Sequence, residues 1–310
     1  MGLFGGYEKA GAGIAKDAPK KKPFFRFWEI AFRKFWKLFE VNLLFMSAFI
    51  PLVAAALSLY FFFHVNQTLT MVLVAALVLV FAVIFGPVTA ACTKILRNFT
   101  LEKPFFMMDV FVKTFRSCFK QACVMGLLDL MIVLSVSAGC YVYPKLIAAS
   151  GDATIYYVMF VAGLSVAIAV LMMSFYAYLM IVSTDLSMKN ILKNSFALSC
   201  IALKTNLITL GWLVLIFGVF ALVTVMYPFI MAMVWPFMPA EFAGLIIVFN
   251  SYPVIQKYVI NPYYAQRGEV NPEYLSTQTG GENVFEDQGG KEKPIEAPKK
   301  QKKTKGKVIS

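Results

Sequence analysis

Six long apolar runs, separated by short polar segments, dominate the pattern of this chain. A helix needs about 20 mainly apolar residues to cross the hydrocarbon layer of a bilayer. The runs cover residues 41–63, 69–92, 122–143, 155–182, 206–234 and 237–258. The pattern therefore predicts an all-α fold, a polytopic transmembrane helical bundle with about six spans. The last run is the weakest because Glu241, Asn250 and Pro253 interrupt it, so a five-span bundle is the alternative.

Basic residues are confined to alternate polar segments along the chain. Nine Lys and Arg residues lie in residues 1–40, six in 93–121, three in 184–205 and ten from Lys257 onward. The intervening turns, around residues 64–68, 144–154 and 235–241, contain only Lys145. Membrane proteins keep Lys and Arg preferentially in cytoplasmic segments. The alternation therefore predicts a multi-pass protein of the cell membrane with both termini in the cytoplasm.

The basic segments that precede each pair of spans also have amphipathic patterns. Aromatic residues from Phe25 to Phe39 recur at three- and four-residue spacing, which predicts one aromatic helical face with basic side chains elsewhere. Residues 105–120 repeat this pattern and residues 186–204 repeat it more weakly. Three copies of a basic amphipathic helix followed by a helical hairpin are one interpretation, although the identity between the copies is faint. Such helices bind the bilayer surface and attract anionic lipid headgroups. The predicted interfacial anchors are Trp28, Phe32, Phe35, Trp36 and Phe39.

Composition excludes a soluble fold and argues against nucleic acid as a partner. The chain has 310 residues, of which 59% are hydrophobic and 15% charged, whereas soluble domains carry roughly 25% charged residues. The net charge of +12 is spread over the segments between apolar runs, and the basic run at 299–307 has no interleaved aromatic residues to stack on bases. Residues 1–23 are predicted to be a flexible basic segment, 24–265 the membrane domain and 266–310 a disordered Lys-rich cytoplasmic tail.

A Gly-Pro block near the end of the second run is one candidate functional or packing site. Its relevant residues are Gly86, Pro87, Thr89 and Ala90. Pro87 removes a backbone donor and is expected to kink the helix, while Gly86 and Ala90 form a small-residue face that lets another helix approach. A packing notch is the favoured interpretation, and a hinge or an ion-coordinating break is the alternative.

Asp129 is the only carboxylate well inside a predicted span. A charge at the centre of a bilayer costs about 2.5–3.5 kcal/mol on insertion scales, so such a residue is a functional candidate. A role in transport or proton transfer and a simple hydrogen bond across helices both remain open. Asn42 and Asn206 each lie at the start of a span, where an amide caps a helix or bonds across helices.

The sequence contains no recognisable catalytic or metal-binding set. It has no GxSxG, HExxH or GxxxxGK[ST] motif, its only histidine is His64, and its five cysteines form no CxxC pair. We therefore expect no enzymatic activity, no cofactor, no metal site and no disulfide between external loops.

Several segments resemble the YesL-like family of bacterial integral membrane proteins. They are MGLFGGYEKAGAGIAKDAPKKK, FRKFWKLFEVNLL, GPVTAACTKILRNFTLEKPFFMMDVFVKTFRSCFKQ, ILKNSFALSCIALKTNL and VIQKYVINPYY. The resemblance covers roughly residues 1–265, although residues 52–80 contain more apolar chain than many members have. It implies the bacterial inner membrane and a role beside carbohydrate-uptake systems, and it assigns no site residues.

Three classes of function remain after these observations. The favoured one is a non-catalytic accessory or assembly protein, with components of a carbohydrate transporter as possible partners. The alternative is a secondary transporter or channel, for which Asp129 and the Gly-Pro block are the support. A membrane enzyme is the weakest of the three.

Overall fold

A computed structural model of the chain describes residues 22–150, 153–236, 239–269, 271 and 273. These residues form helices and no strands. The predictions for a flexible N-terminal segment and a disordered tail fall almost wholly outside the described residues. The helices are α1 (Pro23–Arg33), α2 (Phe35–Met46), α3 (Ile50–Phe62), α4 (Gln67–Thr100), α5 (Met107–Ser117), α6 (Phe119–Ala149), α7 (Thr154–Ser183), α8 (Met188–Ile201), α9 (Leu203–Met226), α10 (Pro228–Val234), α11 (Pro239–Ile255) and α12 (Asn261–Gln266).

Six helical segments in the described residues are long and apolar enough to cross a membrane. They are Phe35–Phe62, Gln67–Thr100, Phe119–Ala149, Thr154–Ser183, Leu203–Met226 and Pro239–Gln266. The predicted all-α polytopic bundle is therefore confirmed. Most spans extend beyond the predicted bounds, by up to eight residues at Thr100 and Gln266. Two further differences concern breaks in the helices. The first span begins at Phe35 because α2 runs without a break through Val41, and the fifth apolar run is divided by a break at Tyr227.

The same helical unit occurs three times at a fixed spacing. The amphipathic helices α1, α5 and α8 end at residues 33, 117 and 201, and the spans that follow them begin at 35, 119 and 203, so both intervals are 84 residues. A single residue separates the two helices each time, namely Lys34, Cys118 or Ala202. Their φ angles are −104°, −96° and −98°. A shared backbone break at equal spacing is the geometry expected of three copies of one unit.

This break corrects the predicted aromatic face of residues 25–39. The helix was expected to be continuous, but it stops at Lys34, so the aromatic residues before and after that point lie on two helices, α1 and α2. Within α1 the residues that enter the core are Ile30 and Ala31. Of the aromatic side chains of α1, Phe25 and Phe32 are exposed, while Phe27 and Trp28 pack against Phe242 of α11.

The packed core lies at one end of the bundle. We call it the basic end, because α4, α7 and α11 finish there and most of the Lys and Arg residues of the bundle surround it. Buried residues concentrate in the last 14 or so residues of α4, in residues 172–182 of α7 and throughout α11. By contrast, only 11–17% of the apolar 18-residue stretch of each of the first five spans is buried inside the bundle. The far halves of the hairpins therefore expose apolar side chains on most sides.

The third hairpin differs from the first two. Helix α9 ends at Met226, Tyr227 has a non-helical backbone, and Pro228 begins the short helix α10. Helix α10 then folds back along α9, because the Trp235 indole Nε1 donates to the Thr224 Oγ1 at 3.0 Å. The returning chain is broken between α10 and α11, whereas α4 and α7 are continuous.

Candidate functional site

The crossing of α4 and α6 is built from small residues on both helices. Gly86 lies so close to α6 that an added Cβ would overlap the backbone carbonyl of Ala122. A Cβ on Gly126 would lie 2.7 Å from the Ala82 carbonyl oxygen and 3.0 Å from the Gly86 Cα. Small residues four apart on each helix thus bring the two backbones into contact. Gly86 thus lies at a close contact between two helices, and sequence reasoning missed its counterpart Gly126.

Pro87 leaves one carbonyl of α4 without its usual partner, and α6 supplies a replacement. A proline cannot donate to the carbonyl four residues earlier, which here belongs to Val83. The Cys123 Sγ of α6 donates to that oxygen at 3.2 Å. Helix α4 stays helical through Pro87, and Thr89 Oγ1 donates to the Phe85 carbonyl at 2.8 Å. Ala90 is fully buried.

Asp129 is paired across helices rather than isolated. The Tyr178 hydroxyl on α7 donates to the Asp129 Oδ2 at 2.6 Å. The carboxyl group is partly buried where α6 and α7 pack together. Of the two interpretations left open by the sequence, this geometry matches the hydrogen bond across helices.

Asn42 on α2 holds the break between α10 and α11 in place. Its Nδ2 donates to the carbonyl of Pro236 at 2.6 Å and lies 3.4 Å from that of Trp235, while its Oδ1 accepts from the Glu241 backbone N–H at 3.0 Å. One buried amide therefore satisfies the end of α10 and the start of α11 together. The sequence indicated a capping or cross-helix role for Asn42 but not its partner.

This contact places Trp235, Pro236 and Glu241 away from any hairpin tip. Asn42 lies 20 residues before the end of α3 at Phe62, which is about 30 Å at 1.5 Å per residue. On the other side, the Cys92 Sγ of α4 lies 3.9 Å from the Val41 carbonyl. The described residues of the segment expected at the tip of the third hairpin thus lie against α2, and the chain instead turns at Tyr227, between α9 and α10.

Glu241 is a second buried carboxyl group, which sequence reasoning placed in an external turn. It is 4% exposed, it contacts the Cys92 thiol, and among the described residues its Oε2 has no hydrogen-bond partner. Gly244, one turn later, lies beside both Glu241 and Leu96. No sequence signal located this site, because it exists only through the contact of α2, α4 and α11.

Further polar pairs attach α11 to its neighbours. Asn250 Nδ2 donates to the Thr209 Oγ1 of α9 at 3.0 Å. Arg97 of α4 donates from Nη2 to the Tyr252 hydroxyl at 2.6 Å and stacks over that ring. Helix α11 is therefore held by polar contacts to α2, α4 and α9. A similar pair joins Tyr176 of α7 to Asn206 of α9 at 2.5 Å.

The predicted interfacial anchors have different surroundings. Trp36 and Phe32 are 76% and 70% exposed, as expected for side chains that contact lipid. Phe35 and Phe39 pack edge to face with ring centroids 4.8 Å apart. Trp28 lines a groove between α1, α9 and α11.

The described residues contain no group of three or more His, Cys, Asp or Glu side chains arranged to hold a metal ion. Several buried polar groups form pairs that bridge helices, among them Arg97 with Tyr252 and Tyr176 with Asn206. Asp129 with Tyr178, and Glu241 with Cys92 and Asn42, are the two places where a carboxyl group enters the bundle.

These features define the class of the molecule: it is an integral, multi-pass, all-α membrane protein. No family model, no curated protein and no solved structure shows a match to the chain.

Proposed function

We propose that this protein is a non-catalytic accessory or assembly component of the bacterial inner membrane, whose basic end faces the cytoplasm. The observation that carries the proposal is the unequal packing of the bundle. A tight core at the basic end supports hairpins whose far halves are exposed. Such a shape offers long apolar helix surfaces to the transmembrane helices of other proteins.

The hydrogen bond between Asp129 and Tyr178 supports this proposal over a transport role. A carboxyl group that carries protons or cations through a membrane has to be reached by them, whereas the Asp129 Oδ2 accepts a hydrogen bond from Tyr178. Polar pairs of this kind are common between membrane helices and contribute about 0.6 kcal/mol each on average. The pair therefore has a sufficient structural explanation.

A link to carbohydrate uptake rests on the resemblance to YesL-like proteins alone. We therefore propose transporter components as partners without naming a transported sugar.

Photo-crosslinking in intact cells tests the proposal. A photoreactive amino acid is placed at Val133 on α6 or Val158 on α7, both of which expose more than half of their surface. Leu179, which is fully buried, is the control position. The proposal predicts one discrete protein adduct from an exposed position and none from Leu179. Adducts with lipid alone at every exposed position on all three hairpins would contradict it.

A secondary transporter or channel is the second candidate, favoured by the broken third hairpin. Transporters commonly build binding sites at breaks in membrane helices, and here the break adjoins the buried carboxyl group of Glu241. Solute flux into liposomes that contain only this protein, abolished by Glu241→Gln in a variant of unchanged thermal stability, would establish that function. Flux without any partner would also displace the accessory proposal.

A further inference from the structure

We propose that the groove between α1, α9 and α11 binds one acyl chain of an anionic phospholipid, with the headgroup phosphate held by Lys204 and Lys257. This inference goes beyond the accessory function and does not depend on it. It rests on the lining of the groove, its size and the charge at one of its ends.

The groove is lined almost entirely by apolar and aromatic side chains. Helix α1 supplies its outer wall, and α9 and α11 supply its inner wall. Asn250 is the one polar side chain among the lining residues, and its amide nitrogen is already bonded to Thr209. The aromatic lining residues are Phe24, Phe27, Trp28, Trp212, Phe242 and Phe249. Such a surface favours a hydrocarbon chain over any charged ligand.

The size of the groove selects a single chain rather than a whole lipid. Its volume is about 240 Å³, somewhat below the roughly 300–1,000 Å³ of pockets that enclose drug-sized ligands. A single flexible hydrocarbon chain is narrow enough to lie along such a groove, while its headgroup remains at the bilayer surface. Helix α1 has the amphipathic pattern of an interfacial helix, so the groove lies where chain and headgroup meet.

The positive charge lies at one end of this groove. Helices α9 and α11 run antiparallel, and the bond between Asn250 and Thr209 fixes their register. Lys204 precedes Thr209 on α9, and Lys257 follows Asn250 beyond the end of α11, so both lie past this bond at the same end. Lys204 is also one turn before Ile208, a lining residue.

These two lysines suit an anionic headgroup. Both side chains are exposed, and no salt bridge to either occurs among the described residues. A basic residue near an anionic membrane surface contributes about 1 kcal/mol to binding. Two such residues correspond to an affinity difference of roughly 30-fold, since 1.4 kcal/mol is a factor of ten. Zwitterionic lipids with the same chains gain much less.

Tryptophan quenching by brominated lipids tests this site directly. Trp212 lines the groove, so a variant that retains Trp212 alone is made by changing the other three tryptophans, Trp28, Trp36 and Trp235, to Phe. A matched variant retains only the exposed Trp36. Each protein in detergent is titrated with dibrominated phosphatidylglycerol and, separately, with dibrominated phosphatidylcholine of the same chain length.

The expected result is saturable quenching of Trp212 at about one phosphatidylglycerol per protein, with at least a fivefold weaker response to phosphatidylcholine. Trp36 should show weak quenching that does not saturate and does not distinguish the lipids. The double variant Lys204→Ala/Lys257→Ala should remove the preference at Trp212, while Lys189→Ala/Lys193→Ala in α8 should retain it. Only variants whose melting temperatures match one another are compared.

Two outcomes would overturn the proposal. Equal responses of Trp212 to both lipids would mean that the groove is covered by bulk lipid only. Absence of specific quenching at Trp212 would mean that another part of the chain, a second copy or a protein partner occupies the groove.

Discussion

The α4–α6 crossing makes a quantitative prediction for Gly86→Ala. The change adds one methyl group, but the space that the methyl would need is occupied by the backbone carbonyl of Ala122. A side chain would move aside at little cost. A helix backbone cannot, so α4 and α6 have to separate, and the opposing Gly126 loses its contact with Gly86 and Ala82.

Two opposed contributions determine how much Gly86→Ala changes the free energy of unfolding. Replacing a helix-interior glycine by alanine on a free surface is favourable by roughly 0.5–1 kcal/mol, because the unfolded chain loses flexibility. Overpacking costs about 1–3 kcal/mol and occasionally more. Since the obstacle here is backbone, we expect the upper part of that range, a net loss of about 2 kcal/mol.

Gly163→Ala is the matched control. Gly163 is also inside a long span helix, but nothing lies within 4 Å of the position its Cβ would take. In detergent, the melting temperature of Gly86→Ala should lie roughly 4–8 °C below that of the wild type, at about 2–4 °C per kcal/mol. The melting temperature of Gly163→Ala should equal or slightly exceed that of the wild type. If the two variants unfolded at the same temperature, the close contact of α4 and α6 would be refuted.

Three further substitutions test the polar contacts. Asn42→Ala should lower stability by about 3 kcal/mol or more, because each unpaired buried group costs about 1–3 kcal/mol. Asn66 caps α4, since its Oδ1 accepts from the Leu69 backbone N–H at 3.0 Å. Asn66→Ala should lower stability by only about 1 kcal/mol, and equal losses for the two variants would argue against the Asn42 bridge. Tyr252→Phe should lower stability by about 1.5–3 kcal/mol by removing the acceptor of the Arg97 bond, and an unchanged melting temperature would contradict that bond. Asp129→Asn should insert normally and keep cellular function, because asparagine retains an acceptor for Tyr178. A stably inserted but inactive Asp129→Asn protein would favour the transporter.

The sequence was informative wherever a pattern is local. The apolar runs located the six spans, and aromatic and basic periodicity located α5 and α8 to within a few residues and the start of α1. Gly86 was recognised because Gly86 and Ala90, four residues apart on one helix, form a small-residue face that is a packing signal. The backbone break at Lys34 was missed because no Gly or Pro marks it.

The remaining features depend on contacts between distant parts of the chain. Glu241 appeared to belong to a turn because it is charged and follows Pro236 and Pro239. The structure instead joins it to Asn42, which is 199 residues away, and to Cys92. Gly126 has no neighbouring small residue except Ala122, so its role becomes visible only when α4 lies against it.

One measurement tests the accessory proposal most directly. The protein is purified from its own membrane in a mild detergent, and the native mass of the purified particle is determined. The proposal predicts that native mass measurement finds a complex of this chain with one other membrane protein in a fixed ratio. The complex should disappear when exposed hairpin valines such as Val133 and Val158 are changed to charged residues. A preparation that contains only this chain and lipid, and that alone carries a solute across liposome membranes, would contradict it.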